Sequence, residues 1–261
     1  MKKYFVVGNW KMNPGSLSEA RRVFGEVKKG LARTKISFSR VKIILCPPFP
    51  YLFALPPKAP LALGAQDVFW INPGSARGAY TGEVSLEMLK NMGADYVIVG
   101  HSERRGYLSE DNAVVNKKLS IVLKSGLNAI FCVGEREEGK DQHSLNYVKE
   151  ELARGLEGIG REYMKNLIVA YEPVWALSTS VKGHVASPEH AFKMAIFIRR
   201  TLLPIVGETM AKNIPILYGG SVSSKTVKDF LPDGWMQGVL VGSKSLDAKD
   251  FVRICEIANR P

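Results

Sequence analysis

Two short apolar runs in this chain deliver charge at their ends. LIVAY (167–171) runs straight into Glu172, and DYVIVG (95–100) runs into His101-Ser102-Glu103-Arg104. A carboxylate on a rigid strand end can take a proton from a carbon beside a carbonyl. A neutral imidazole can then donate a hydrogen bond to the enolate oxygen that develops. A third run, YFVVG (4–8), leads into Asn9 and Lys11, an amide and a fixed positive charge for an anionic intermediate. Two glycine turns add another chemistry. Gly219-Gly220-Ser221 and Gly242-Ser243 have the composition of loops whose backbone N–H groups approach a phosphate closely. Taken one at a time, each residue has an ordinary reading: a satisfied histidine, a surface lysine, a solvated glutamate, a tight turn. Taken together they describe proton transfer on a small phosphorylated carbonyl compound, which needs neither cofactor nor metal.

Such a set works only if the elements that carry it converge. Eight short, β-branched apolar runs recur: YFVVG (4–8), VKIILC (41–46), LALGA (61–65), DYVIVG (95–100), NAIFCV (128–133), LIVAY (167–171), IPILY (214–218) and QGVLV (237–241). Their near-continuous apolar character is that of strands covered on both faces. Helical signals lie between them. Ser16-Leu17-Ser18-Glu19 is a capping-box pattern, and Ser187-Pro188-Glu189 puts a capping residue before a first-turn proline. Ser109-Glu110-Asp111 precedes Val114, Val115, Leu119 and Val122 on one helical face, and 83–92 and 247–258 read as helices too. Strand then helix, eight times in about 250 residues, predicts an α/β fold: a (β/α)8 barrel forming one domain over residues 1–261. An open doubly wound sheet is the rival, and Gly8-Asn9-Trp10-Lys11 is not its glycine-rich first turn. In a barrel the strand ends form one mouth, and the loops after the seventh and eighth strands are a common phosphate site. The two glycine turns fall on those loops.

Composition excludes other classes. The chain has 261 residues, 46% apolar and 23% charged, which is globular. No apolar run approaches the 18 or so residues of a membrane span, and the segment from Tyr4 to Val7 is too short for a signal-peptide core. Three widely spaced cysteines, Cys46, Cys132 and Cys255, suggest reduced thiols in the cytoplasm. The formal charge of +11 is scattered, with no nucleic-acid motif, and reads either as a solvated basic surface or as a field that gathers anionic substrates. Gly134 to Lys140 has the glycine and lysine spacing of a P-loop, but Asp141 stands where a magnesium-binding hydroxyl belongs. Histidines 101, 143, 184 and 190 lack metal-ligand spacing.

The motifs GNWKMN (8–13), GAYTGEVS (78–85), VGHSERR (99–105), CVGE (132–135), AYEPVWA (170–176) and YGGSV (218–222) closely resemble the triosephosphate isomerase family, in order and over essentially the whole chain. The resemblance implies interconversion of dihydroxyacetone phosphate and D-glyceraldehyde 3-phosphate through an enediolate, in glycolysis and gluconeogenesis, by a cytoplasmic homodimer without cofactor. Glu172 would carry the proton. His101 would polarise the carbonyl, Lys11 would hold negative charge, and Asn9 would bond the substrate oxygens, with Glu103 in the same network. Ser178, Ser221, Gly242 and Ser243 would bind phosphate. Pro173 and Trp175 would form the first hinge of a lid, and Leu177 and Leu240 an apolar clamp that excludes water from Glu172. Thr81 and Gln66 would lie in a dimer interface, with Thr81 reaching the partner's site.

Three departures stand against that pattern. The family's Ala-Ile-Gly-Thr-Gly lid reads Ala176-Leu177-Ser178-Thr179-Ser180, and the lid segment is longer, so that any of residues 181–185 could be the second hinge. The glycine pair of the eighth loop is Gly242-Ser243, followed by Lys244, which either adds charge at the phosphate or faces water. The third loop, FWINPGSARGAY, is also lengthened. The altered lid keeps two alternatives open, a phosphate-binding barrel of low activity and an isomerase of another phosphosugar.

Overall fold

Strands form where the apolar runs lie. In the computed structural model, which describes residues 3–55, 60–71, 78–136, 142–177, 186–231 and 235–259, they are β1 (Tyr4–Asn9), β2 (Val41–Cys46), β3 (Leu61–Ala65), β4 (Ala94–Val99), β5 (Asn128–Val133), β6 (Leu167–Tyr171), β7 (Ile216–Tyr218) and β8 (Gly238–Val241). Each pairs in parallel with its sequence neighbours, and β8 returns to β1, closing the barrel. The chain therefore has the (β/α)8 architecture its runs predict. The seventh run is cut short. Pro215 has no N–H to offer the ladder, and the N–H of Ile214 closes the preceding helix on Met210 O.

The connecting helices start where capping chemistry allows. In α1 (Leu17–Ala32) Ser16 accepts from the N–H of Glu19, and in the helix Pro188–Val206 Ser187 accepts from the N–H of His190. Each such cap is worth about 1 kcal/mol. Asp247 caps the helix Ala248–Ala258 in the same way. The helix expected after Ser109-Glu110-Asp111 runs Asn112–Lys124 with Asp111 as its cap, and Ser109 before it takes left-handed backbone (φ 55°). The expected helix over 83–92 is shorter, running Leu86–Asn91 with Ser85 as cap. Val84 O is already committed to the N–H of Phe69 at 3.0 Å, which holds that stretch extended.

Strand alternation splits the apolar interior in two. Ala129, Phe131, Val133, Leu167, Val169 and Tyr171 belong to the large cluster between strands and helices. Ile130, Cys132, Ile168, Ala170, Leu217, Leu240 and Val7 belong to a smaller cluster built from strand residues alone, inside the barrel. Continuing the inner series by two residues reaches Glu172 from Ala170, Asn9 from Val7, Gly219 from Leu217 and Gly242 from Leu240. The same period that packs the barrel aims these four positions into its mouth.

Candidate active site

Glu172 is buried, and its carboxylate is held at both oxygens. Oε2 accepts from the N–H of Ser102 at 3.1 Å, and Oε1 lies 3.2 Å from His101 Nε2. The imidazole is fixed in turn by the helix it opens. His101 is the cap of the short helix Ser102–Tyr107, and its Nδ1 accepts from the N–H of Glu103 at 3.2 Å. A ring that accepts at Nδ1 carries its proton on Nε2, the atom that faces the mouth. His101 does not continue the inner series of β4. Gly100 takes φ 74°, breaks the alternation and swings the next residue inward.

Lys11 has left-handed backbone as well (φ 54°), an uncommon state for a side-chain-bearing residue. Side chains satisfy the peptide groups on either side of it. Asn9 Oδ1 accepts from the N–H of Lys11 at 3.0 Å, and Gln66 Nε2 donates to Lys11 O at 2.8 Å and to Cys46 O at 2.8 Å. Lys11 Nζ is 2.6 Å from Glu103 Oε1.

Asn9, Lys11, His101 and Glu172 line one cleft of about 270 Å³ together with Leu177, Leu240, Gly219, Gly220, Ser221, Gly242, Ser243 and Lys244. One wall is thus carboxylate, imidazole and ammonium, and the other is the two turns rich in glycine and serine. Ser243 has negative φ, so serine in place of a glycine costs no backbone strain there.

The family model described as triosephosphate isomerase matches residues 4–258. A triosephosphate isomerase of Dictyoglomus turgidum is 39% identical over 260 residues, covering 96% of this chain and 98% of that protein. Those of Moorella thermoacetica and Carboxydothermus hydrogenoformans are 41% and 38% identical, each covering 97% of this chain and 98% of the relative. The chain belongs to the triosephosphate isomerase family.

The remaining residues that the triosephosphate isomerase resemblance singled out are distributed as follows. Pro173 and Leu177 are buried and Trp175 is half-buried at the point where the chain leaves the barrel. Trp175 Nε1 donates to Glu135 Oε1 at 2.8 Å, and the N–H of Val174 donates to Glu135 O at 3.0 Å. Ser221 Oγ donates to Ala176 O at 3.1 Å, tying the same segment to the seventh loop. Ser178 and Ser180 lie outside the described residues, as does most of the P-loop-like stretch, 137–141. Thr81 is exposed, and Gln66 is half-buried with its amide engaged inside its own chain.

Three residues were missed by sequence reasoning. Ser102 holds Glu172 through a first-turn N–H, which is an orphan donor in any helix. Glu135 was quoted within a motif but given no task. It gathers Tyr171 OH at 2.7 Å as well as Trp175. Gly134 also had no assigned task, although a Cβ there would lie 1.8 Å from Glu172 O. Only a residue without a side chain lets β5 and β6 come this close beneath the carboxylate.

Proposed function

We propose that this chain interconverts dihydroxyacetone phosphate and D-glyceraldehyde 3-phosphate, an aldose–ketose isomerisation in glycolysis and gluconeogenesis. The observation that carries the reading is the pairing of Glu172 Oε1 with His101 Nε2 at 3.2 Å, in a cleft that also holds Lys11 and both glycine turns. An acceptor for a carbon-bound proton and a donor for an oxygen thus face the same space.

Glu172 leaves its bonds to Ser102 and His101 and takes a proton from the carbon beside the carbonyl. The electron pair moves onto the carbonyl oxygen, giving an enediolate. The proton returns to the neighbouring carbon, while the hydroxyl proton passes between the two oxygens. His101 Nε2–H bonds each oxygen in turn, and Asn9 supports them. Lys11, held by Glu103, balances the enediolate charge without having to reorganise. Ser221, Gly242, Ser243 and the backbone of Ser178 bind phosphate. Pro173 and Trp175 hinge the lid, and Leu177 and Leu240 close over Glu172 to exclude water.

We read residues 1–261 as one cytoplasmic domain that works as a homodimer without cofactor and binds neither nucleic acid nor membrane. The three buried free cysteines support a reducing compartment, and no helix among the described residues is long and apolar enough to cross a membrane. Met12, 93% exposed, and Tyr80, 45% exposed beside Thr81, are apolar surface of the kind a partner subunit covers.

The test is kcat/KM for glyceraldehyde 3-phosphate in a coupled assay, on the wild type and on Glu172→Asp. The expected result is an efficiency near the diffusional ceiling of about 10⁸ M⁻¹s⁻¹. Withdrawing the carboxylate by one methylene should cost at least about 100-fold. A wild-type rate many orders lower, indifferent to the substitution, would overturn the reading.

A further inference from the structure

Lys244 stands where the cleft opens to solvent and has no task in the mechanism above. It follows Gly242 and Ser243 in the 3₁₀ turn Ser243–Ser245, is exposed, and lines the same cleft as Lys11, His101 and Glu172. Gly242 is packed close to Lys11, since a Cβ there would lie 3.6 Å from Lys11 Cε. The eighth turn therefore brings a second lysine to the rim of the site that the first lysine serves.

Charge balance at the mouth gives that lysine a purpose. Lys11 Nζ is matched by Glu103 Oε1 at 2.6 Å. His101 accepts a backbone N–H at Nδ1, so its ring presents a donor and no full charge. Glu172 is held by the N–H of Ser102 and by His101, with no lysine or arginine among its partners in the described residues. By formal charge Lys11, Glu103 and Glu172 sum to one negative charge in the path of an incoming phosphate dianion. Among the described residues Lys244 has no carboxylate or hydrogen-bond partner, so its charge is uncommitted.

We propose that Lys244 is the cation that draws in and holds the substrate phosphate, working beside the backbone donors of the two glycine turns. The proposal rests on the isomerase reading. The phosphate does not change during the reaction, so Lys244 binds ground state and transition state alike. Its loss should therefore appear in KM and in the salt dependence of capture rather than in kcat.

The experiment compares wild type, Lys244→Met and Lys244→Arg. It measures kcat and KM for glyceraldehyde 3-phosphate at low and high ionic strength, and the affinity of inorganic phosphate by calorimetry. One charge beside a dianion in a water-filled mouth is worth roughly five- to tenfold in affinity at low salt, and less as salt screens it. Lys244→Met is expected to raise KM and the phosphate Kd by that factor and to flatten the salt dependence, with kcat within about twofold of wild type. Lys244→Arg is expected to restore both constants. Wild-type KM and phosphate affinity in Lys244→Met at low salt would overturn the proposal, and so would a loss confined to kcat. The calorimetry separates the two readings. If no variant turns over substrate but Lys244→Met binds phosphate more weakly, the isomerase reading fails and Lys244 stands. Rapid turnover with no effect of Lys244 on either constant refutes this proposal alone.

Discussion

Gly134→Ala should disable the site from beneath. A Cβ at this position would lie 1.8 Å from Glu172 O, 2.5 Å from Glu172 C and 3.2 Å from its Cα. Carbon and carbonyl oxygen approach no closer than about 3.3 Å even in weak C–H···O contacts, so the two chains must part by roughly 1.5 Å. Neither is free to do so. β5 and β6 are in register from Ala129 and Leu167 to Val133 and Tyr171, and the N–H of Glu172 donates to Val133 O at 2.8 Å. The displacement must reach Glu172 itself. A misplacement of about 1 Å at a reacting group costs around 100-fold in rate. Overpacking that a flexible side chain cannot absorb costs about 3 kcal/mol. Initial rates in the coupled assay and urea unfolding of the same variant give the two quantities. Gly219→Ala is the control. Its Cβ would meet Glu172 Cγ at 2.9 Å, a side-chain atom, and the backbone only at Tyr171 O, 3.2 Å away and within about 0.1 Å of an ordinary weak contact, so activity should fall with a much smaller loss of stability. If Gly134→Ala keeps its kcat/KM within threefold of wild type and an unchanged unfolding midpoint, the claim that this glycine makes room for the base is wrong.

Burial pushes the Glu151 carboxyl up to about 7, against the opposing pull of Arg105 and the N–H of Gly134. Between pH 4.5 and 7 the folded state therefore holds a proton that the unfolded chain has released, so stability falls as pH rises through that window. Glu151→Gln removes this slope, and its stability relative to wild type should rise by an amount on the order of 3 kcal/mol from the bottom of the window to the top, read by urea unfolding at a series of pH values. Lys118, 1% exposed, places Nζ at 2.7 and 2.8 Å from the Asp67 oxygens and 2.6 Å from Glu110 Oε1. Lys118→Met leaves two buried carboxylates sharing Arg104 and should cost about 3–5 kcal/mol. Burial already raises Asp67, and losing the lysine raises it further, so the deficit should shrink as the pH is lowered and the carboxyl protonates in the folded state.

The barrel was legible because strands covered on both faces must be apolar runs, and eight of them with helical signals between leave few alternatives. Where the reading slipped, a local demand outranked the periodicity. Pro215 shortened β7, and the bond from Phe69 to Val84 kept the chain before Leu86 out of its helix. Glu172 and Asn9 could be read because they end apolar runs. The direction of His101 could not, because it depends on the positive φ of Gly100. Ser102, Gly134 and Gln66 act on groups 70, 38 and 55 residues away in sequence, and local pattern has no means of registering such contacts. The lid stayed illegible for a different reason. Ser178 and Ser180 lie outside the described residues, and the phosphate contact proposed for Ser178 is through a backbone N–H, which is the same in every residue except proline.

The placement of strain shows how the barrel divides its labour. Among the described residues only Lys11 and Ser109 carry a side chain at positive φ. Such a conformation costs about 1 kcal/mol that a glycine would avoid. A glycine at position 11, however, would bring no ammonium to the mouth. The chain keeps the lysine and offsets the strain locally, with Asn9 on its N–H and Gln66 on its carbonyl. Glu103 then fixes the ammonium from a different strand end. Three residues from three strand ends thus hold one cation still before any substrate arrives. A charge already in place spends nothing on reorganisation when negative charge develops opposite it. The glutamate that fixes it also cancels it for long-range attraction. Of the two lysines in this cleft only Lys11 is paired among the described residues, which leaves Lys244 for the long-range attraction proposed above.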